Sequence, residues 1–81
     1  MEKNELIEKL NSALAENFEV EASVITPDAN IKETFLLDSL SLVDMIQVVD
    51  EVTGVTIKTQ DVGQVKTFAD LYDFVFDKLN A

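Results

Sequence analysis

The sequence contains no cysteine, no histidine, no tryptophan and no arginine. Without cysteine or histidine, the chain lacks the ligands of structural zinc, cannot form a disulfide, and cannot use a thiol or an imidazole in catalysis. Its only cationic side chains are six lysines, against sixteen aspartates and glutamates, which gives a net charge of −10. Nucleic acids and anionic membranes are bound through clustered cations, so we expect neither as a partner. A protein with a basic surface is the natural complement.

Glycine, proline and long apolar segments are also scarce. Gly54 and Gly63 are the only glycines, so no glycine-rich loop is present to hold a phosphate or an oxyanion. No segment approaches the length of a membrane span, and the charged start MEKNELIEKL is not typical of a signal peptide. We therefore expect a cytoplasmic protein with no membrane insertion. The 81 residues, 47% of them hydrophobic, predict a single domain at 1–81, and we expect a monomer.

The spacing of the apolar residues predicts an all-α fold, a small bundle of three principal helices plus one short helix. The first helix is predicted at residues 2–18 and the second at residues 39–53. The short element is predicted at residues 59–63, and the last helix begins at Phe68. Residues 19–37 are predicted as a long connection that contains a turn.

Several residues predict the boundaries of these elements. Thr26 and Pro27 are typical of the turn, and Gly54 of a left-handed helix stop. Thr59 is predicted to cap the short helix. Thr67, followed by Asp70, predicts a capping box at the start of the last helix. The buried face of that helix is predicted to consist of Phe68, Leu71, Tyr72, Val75 and Leu79.

The second helix has two predicted faces. The core stripe is Leu42, Met45, Ile46, Val49 and Val52. The outward face places Leu40 and Val43 among Asp44, Gln47, Asp50 and Glu51. This face is either a solvated surface with two incidental apolar residues or an apolar docking surface ringed by charge. The pattern alone leaves both interpretations open.

Ser39, at the predicted start of this helix, has three possible roles. Either Ser39 or Asp38 can cap the helix. Ser39 is a poor nucleophile here, because the chain has no histidine and a carboxylate is a weak base for a hydroxyl. An exposed hydroxyl at a helix start can also accept a phosphoryl-linked group from another enzyme, since the helix end stabilises the added negative charge.

These features together resemble the acyl carrier protein family. Asp38-Ser39-Leu40 is similar to the attachment motif of that family, and it opens the segment DSLSLVDMIQVVDEVTG. The chain length, the acidity, the long first loop and a final helix that opens with KTFADLYDFV are similar as well. The resemblance covers essentially the whole chain.

The resemblance implies a carrier that has no catalytic residues and binds no metal. Ser39 would carry 4′-phosphopantetheine, flanked by Asp38 and Leu40, after transfer from coenzyme A by a phosphopantetheinyl transferase with Mg²⁺. Acyl groups would be held as thioesters on this arm and presented to acyl-handling enzymes with basic docking patches. The implied partner-binding residues are Asp38, Leu40, Val43, Asp44, Gln47, Asp50 and Glu51. The implied lining of an acyl pocket is Leu42, Ile46, Val49, Leu71 and Val75.

Some positions differ from many fatty-acid carriers. Leu36 and Leu37 stand where Gly-Ala is frequent, Ser41 where Asp is frequent, and Gln47 where an apolar residue is common. These differences leave open either fatty-acid biosynthesis or a specialised aminoacyl or polyketide-type carrier. An acidic interaction module without an arm is a further alternative. A weak divalent-ion binder is another, although a dedicated calcium loop is missing.

Overall fold

The structure is a computed structural model that describes residues 2–35 and 42–80. Its helices are α1 (Lys3–Phe18), α2 (Ile31–Phe35), α3 (Leu42–Thr53), α4 (Thr59–Val62) and α5 (Phe68–Leu79), with a 3₁₀ turn at Ala22–Val24. The described residues contain no strand, and one isolated antiparallel bridge joins Asn30 to Thr67. The predicted all-α fold with three long helices is therefore confirmed.

The core lies where α1 packs against both α3 and α5. Each long helix contributes an apolar stripe at helical spacing, and the centre of each stripe is fully removed from solvent. The central residues, all 0–1% exposed, are Leu6, Leu10, Leu14, Met45, Val49, Phe68, Leu71 and Val75. These stripes place the outer side of α3 toward solvent.

Two predictions about the core were wrong in detail. Val48 is buried although it was not assigned to the core stripe, and it lies on the side of α3 that faces Asn17 and Phe18 at the end of α1. Leu79 is 40% exposed although it was assigned to the buried face. The ring of Phe76 already lies next to the first residue of α1, so the last turn of α5 extends beyond the helix it would pack on.

The connection after α1 is more ordered than predicted. Its turn at Thr26 and Pro27 is confirmed, since the Ala29 N–H donates to the Thr26 carbonyl at 3.1 Å. The helix α2 that follows was not predicted. Its start is fixed by Asn30, whose side-chain oxygen accepts a hydrogen bond from the Glu33 N–H at 3.1 Å. The loop therefore ends in a capped helix that leads toward Ser39.

The boundaries of the later helices largely follow the prediction. α3 ends at Thr53, and Gly54 has the left-handed φ of +77° that favours glycine. The prediction of Thr59 as a cap was wrong. The Asp61 N–H donates to the Lys58 carbonyl at 2.9 Å, so the cap position falls on Lys58 and Thr59 is the first helical residue.

The capping box at the start of α5 is confirmed. The Asp70 N–H donates to the Thr67 hydroxyl oxygen at 3.2 Å, and the Thr67 N–H donates to the Asp70 carboxylate at 3.2 Å. Across the ranges 2–35 and 42–80, no helix has the length and apolar character needed to cross a membrane. The cytoplasmic location remains a prediction.

Candidate functional site

The predicted attachment residue lies between α2 and α3, in residues 36–41, which we call the serine segment. Asp38, Ser39 and Leu40 are outside the described residues, and so is the predicted start of α3 at Ser39. The structure does describe both ends of this segment, at Phe35 and at Leu42. In the sequence, Ser39 is the fourth residue after Phe35 and the third before Leu42. The candidate attachment residue therefore follows α2 and precedes the described part of α3 along the chain.

The two described residues that flank the serine segment, Phe35 and Leu42, pack on the core. Leu42 is buried in the core at 7% exposure. Phe35 is partly buried and lies between two other rings. Its ring stacks on Phe18 with centroids 4.6 Å apart, and it meets Phe68 edge to face at 5.4 Å.

The outward face of α3 begins one residue after Leu42. Val43 is 54% exposed, which is a large value for an apolar side chain on a helix. The exposure predicted for the polar members of this face, Asp44, Gln47, Asp50 and Glu51, is confirmed. We call these five residues the α3 face. Its role in docking remains a prediction.

The negative charge of the α3 face is not balanced by any basic residue of the same helix. The sequence of α3 contains three acids and no lysine. The two ion pairs found among residues 2–35 and 42–80 are Lys3–Asp73 and Glu5–Lys9, on α1 and α5. Asp50 and Glu51 also lie in the last turn of α3, where the helix dipole disfavours negative charge. Helix stability therefore does not explain these two acids.

A surface groove separates the α3 face from the end of α1. Phe18 and Val48 give the groove apolar surface, and carboxylates of the α3 face lie at its side. Its lining residues are Asn17, Phe18, Asp44, Gln47, Val48 and Glu51. The contributions of Asn17 and Phe18 were not predicted, because the sequence pattern of one helix does not report which neighbouring helix ends beside it.

The predicted acyl-pocket residues belong to the continuous core. Leu42, Val49, Leu71 and Val75 are buried, and Ile46 is partly buried against them. They come from α3 and α5. The structure thus brings these residues into one apolar cluster, and their role in holding an acyl chain remains a prediction.

Two titratable groups outside the α3 face have shifted pKa values. Hydrogen bonds from the backbone N–H groups of Thr67 and Lys66 lower the pKa of Asp70. Burial raises the pKa of Tyr72, and its hydrogen bond with Asn11 partly offsets this. Both shifts arise from contacts that hold the helices in place. Among the described residues, no group of three or more acidic side chains is arranged to hold a metal ion.

Comparison with known proteins gives consistent matches along the chain. A family model described as a phosphopantetheine attachment site matches residues 8–75, a range that contains Ser39. An acyl carrier protein of Thermosynechococcus vestitus is 31% identical over 81 residues, covering all of both chains. Acyl carrier protein 2 of Ralstonia nicotianae is 33% identical over 81 residues, again covering both chains fully. An acyl carrier protein of Rubrobacter xylanophilus is 28% identical over the same length.

Proposed function

The chain belongs to the acyl carrier protein family, and from that premise we propose that Ser39 is the residue to which its 4′-phosphopantetheine is attached. Proteins of this family are carriers and not enzymes, and phosphopantetheine is their cofactor. The observation that carries the proposal is the match to the attachment-site family over residues 8–75, with Asp38-Ser39-Leu40 inside it.

The chemistry of the residues present fits this group. Ser39 offers a hydroxyl at the predicted start of α3, and a helix start stabilises the negative charge of a phosphodiester. The bound arm supplies a terminal thiol on which acyl groups are carried as thioesters. The chain has no cysteine, so it has no thiol of its own for this purpose.

The attachment step requires an external enzyme. The Ser39 hydroxyl oxygen forms a bond to the pantetheine-bearing phosphorus of coenzyme A, and the bond from this phosphorus to the adjoining phosphate breaks. Adenosine 3′,5′-bisphosphate leaves, and the hydroxyl proton passes to a base of the transferase. The chain contributes no histidine as a base, so a phosphopantetheinyl transferase with Mg²⁺ must perform the step.

We infer that the α3 face, with Asp38 and Leu40, docks the transferase and the acyl-handling enzymes. Val43 is the exposed apolar contact at the amino end of the α3 face, and the acids of this face complement a basic patch. The position of Asp50 and Glu51 in the last turn of α3 supports a role outside the fold. We propose that the protein acts in fatty-acid or related biosynthesis in the cytoplasm. The alternative is a specialised acyl or aminoacyl pathway.

The acyl chain is proposed to fold back between α3 and α5. The supporting feature is the apolar cluster described above, in which Ile46 lies at the edge and Val49 and Val75 lie inside. Burial of an acyl chain there would remove its apolar surface from water and enlarge the core of this small domain.

The test is the intact mass after incubation with coenzyme A, Mg²⁺ and a broad-specificity phosphopantetheinyl transferase. We expect the wild-type chain to gain one phosphopantetheinyl group, and Ser39→Ala to gain none. Ser41→Ala is the matched control, because it removes the neighbouring hydroxyl of the same segment and should be modified normally. Folded wild-type protein that gains no mass would instead support an acidic interaction module without an arm.

A further inference from the structure

The surface groove between the end of α1 and the α3 face has room for a single side chain of a partner. We call it the α1–α3 groove. Its volume is about 330 Å³, near the lower end of the range for ligand sites. A space of this size does not hold a helix, which is about 10–12 Å wide with its side chains. The groove therefore suits one long side chain that projects from a partner surface.

The polar groups of the groove favour a cation. The carboxylates of Asp44 and Glu51 line it two helical turns apart, and no lysine is among its described lining residues. The Asn17 side-chain nitrogen donates to the Ala13 carbonyl at 2.7 Å, which orients the amide with its oxygen, an acceptor, at the other end. Negative charge and acceptor oxygens complement a ligand that carries positive charge and several N–H donors.

The apolar part of the groove favours a flat cation over a compact one. Phe18 and Val48 supply this part. One face of the Phe18 ring is stacked on Phe35, and the residue is only partly buried, so the rest of its surface contributes to the groove. A guanidinium is planar, stacks on aromatic rings and is weakly hydrated, whereas the ammonium of lysine is compact and strongly hydrated.

The end of α1 carries acids that do not favour the fold locally. Glu16 lies in the last turn of α1, which has no basic residue, and the helix dipole disfavours negative charge there. Glu19 follows Phe18 with a left-handed φ of +56°, a conformation that glycine or asparagine adopts more readily. Among residues 2–35 and 42–80, neither acid forms an ion pair. Their charge adds to the negative potential beside the groove.

We propose that the α1–α3 groove receives an arginine side chain of a partner protein. The guanidinium lies beside the carboxylates and the Asn17 oxygen, and the aliphatic stem packs on Phe18 and Val48. This inference adds the end of α1 to a docking surface that otherwise belongs to α3. The identity of the partner as an enzyme that acts on the carrier rests on the proposed function. The capacity of the groove to bind a guanidinium does not.

The first test titrates N-acetyl-arginine amide into the unmodified chain at low salt and follows the backbone amides by NMR. We expect saturable shifts at Asn17, Phe18, Gln47 and Val48, with a Kd on the order of 1–10 mM for so small a ligand. N-acetyl-citrulline amide, which has a similar shape without the charge, should give none of these shifts. N-acetyl-lysine amide should bind at least about threefold more weakly.

The matched variants place one lysine inside the groove and one outside it, on the same helix. Asn17→Lys should raise the Kd for the arginine probe about tenfold, because it adds a cation to the groove. Ser12→Lys makes a similar change at an exposed position of α1 outside the groove and should leave the Kd within about twofold. If Asn17→Lys does not fold, Gln47→Lys supplies the cation from α3 and should act alike.

The second test measures the transferase reaction with this carrier as the varied substrate. Asn17→Lys should raise KM about tenfold with kcat within about twofold, and Ser12→Lys should change neither. Absent shifts, shifts spread over all acidic surfaces, or equal effects of the two lysine variants would overturn the inference while Ser39 is still modified. If the shifts are confined to the groove but Ser39 gains no group, the proposed function fails and the guanidinium site stands.

Discussion

The described part of α3 and helix α5 have similar buried faces, but their outward faces differ. On α5, three of the four exposed charged residues contact the protein itself. Asp70 completes the capping box, Asp73 pairs with Lys3, and Lys78 lies 5.5 Å from the ring centroid of Phe74. On α3 the exposed residues include three acids and no lysine. The first pattern is typical of a helix surface that serves the fold, and the second of a surface that serves a partner.

The comparison separates two reasons for keeping a charged residue on a helix. A charge that caps, pairs or covers an aromatic ring stabilises the chain, even if each contact contributes at most about 1 kcal/mol. On α3, by contrast, Asp50 and Glu51 lie in the last turn, where the helix dipole disfavours negative charge. This contrast supports the docking role that we propose for the α3 face.

Charge reversal on α3 should give the largest difference between the two helices. Asp44→Lys with Glu51→Lys should lower kcat/KM for arm transfer by roughly tenfold to a hundredfold at low salt, because the attraction to a basic partner is lost. The measurement is the rate of transfer at low and at high ionic strength, where the difference from wild type should shrink.

The matched control makes the same change in net charge on α5. Asp73→Lys with Asp77→Lys should retain most of the transfer rate, with a loss of under ~1 kcal/mol of stability from the exposed ion pair with Lys3. Equal losses of rate in the two double variants would show that net charge, and not the α3 face, determines docking.

The buried faces of the two helices should respond alike. Val49 and Val75 are both 0% exposed, so Val49→Ala and Val75→Ala should each lower the free energy of unfolding by about 2 kcal/mol. Denaturant unfolding followed by circular dichroism measures this. A loss at only one of the two positions would contradict the view that these helices share one core.

The start of α5 should show a smaller effect. Thr67→Ala removes the side-chain acceptor for the Asp70 N–H and should destabilise the protein by about 1 kcal/mol. Thr67→Ser keeps the hydroxyl and serves as the control. Equal stability of the alanine and serine variants in thermal unfolding would argue against a cap at this position.

The smallest expected effect is the pH dependence of stability that the Asp70 carboxylate of this capping box contributes. The pKa of Asp70 is lowered in the folded state by the N–H groups of Thr67 and Lys66. Its stabilising effect is therefore present above the unfolded-state pKa and is lost as the pH falls through the folded-state pKa. Asp70→Asn should reduce the acid-side loss of stability between pH 7 and low pH. An unchanged pH profile would contradict this assignment.

The fold was largely predictable because three long helices carry clear periodic stripes. Helix α2 was missed because five residues are too short to show periodicity, although Asn30 followed by Glu33 is a capping signal. Val48 was missed because the burial of a helix edge depends on which neighbour covers it. The exposure of Leu79 likewise depends on where α1 begins.

The candidate site was predictable to a different extent. The α3 face followed from helical spacing, but the function of Ser39 required the resemblance of Asp38-Ser39-Leu40 to a known motif. The packing of the Phe18, Phe35 and Phe68 rings could not be predicted from the sequence, because these residues are distant along the chain. Only the packing of three separate elements brings their rings together.

We propose above all that this chain carries its cofactor on Ser39. The most direct measurement is the intact mass of the wild-type chain, Ser39→Ala and Ser41→Ala after incubation with coenzyme A, Mg²⁺ and a phosphopantetheinyl transferase. The predicted result is a gain of one phosphopantetheinyl group by the wild type and by Ser41→Ala, and no gain by Ser39→Ala. Modification of Ser39→Ala, or no modification of the folded wild-type protein, would contradict it.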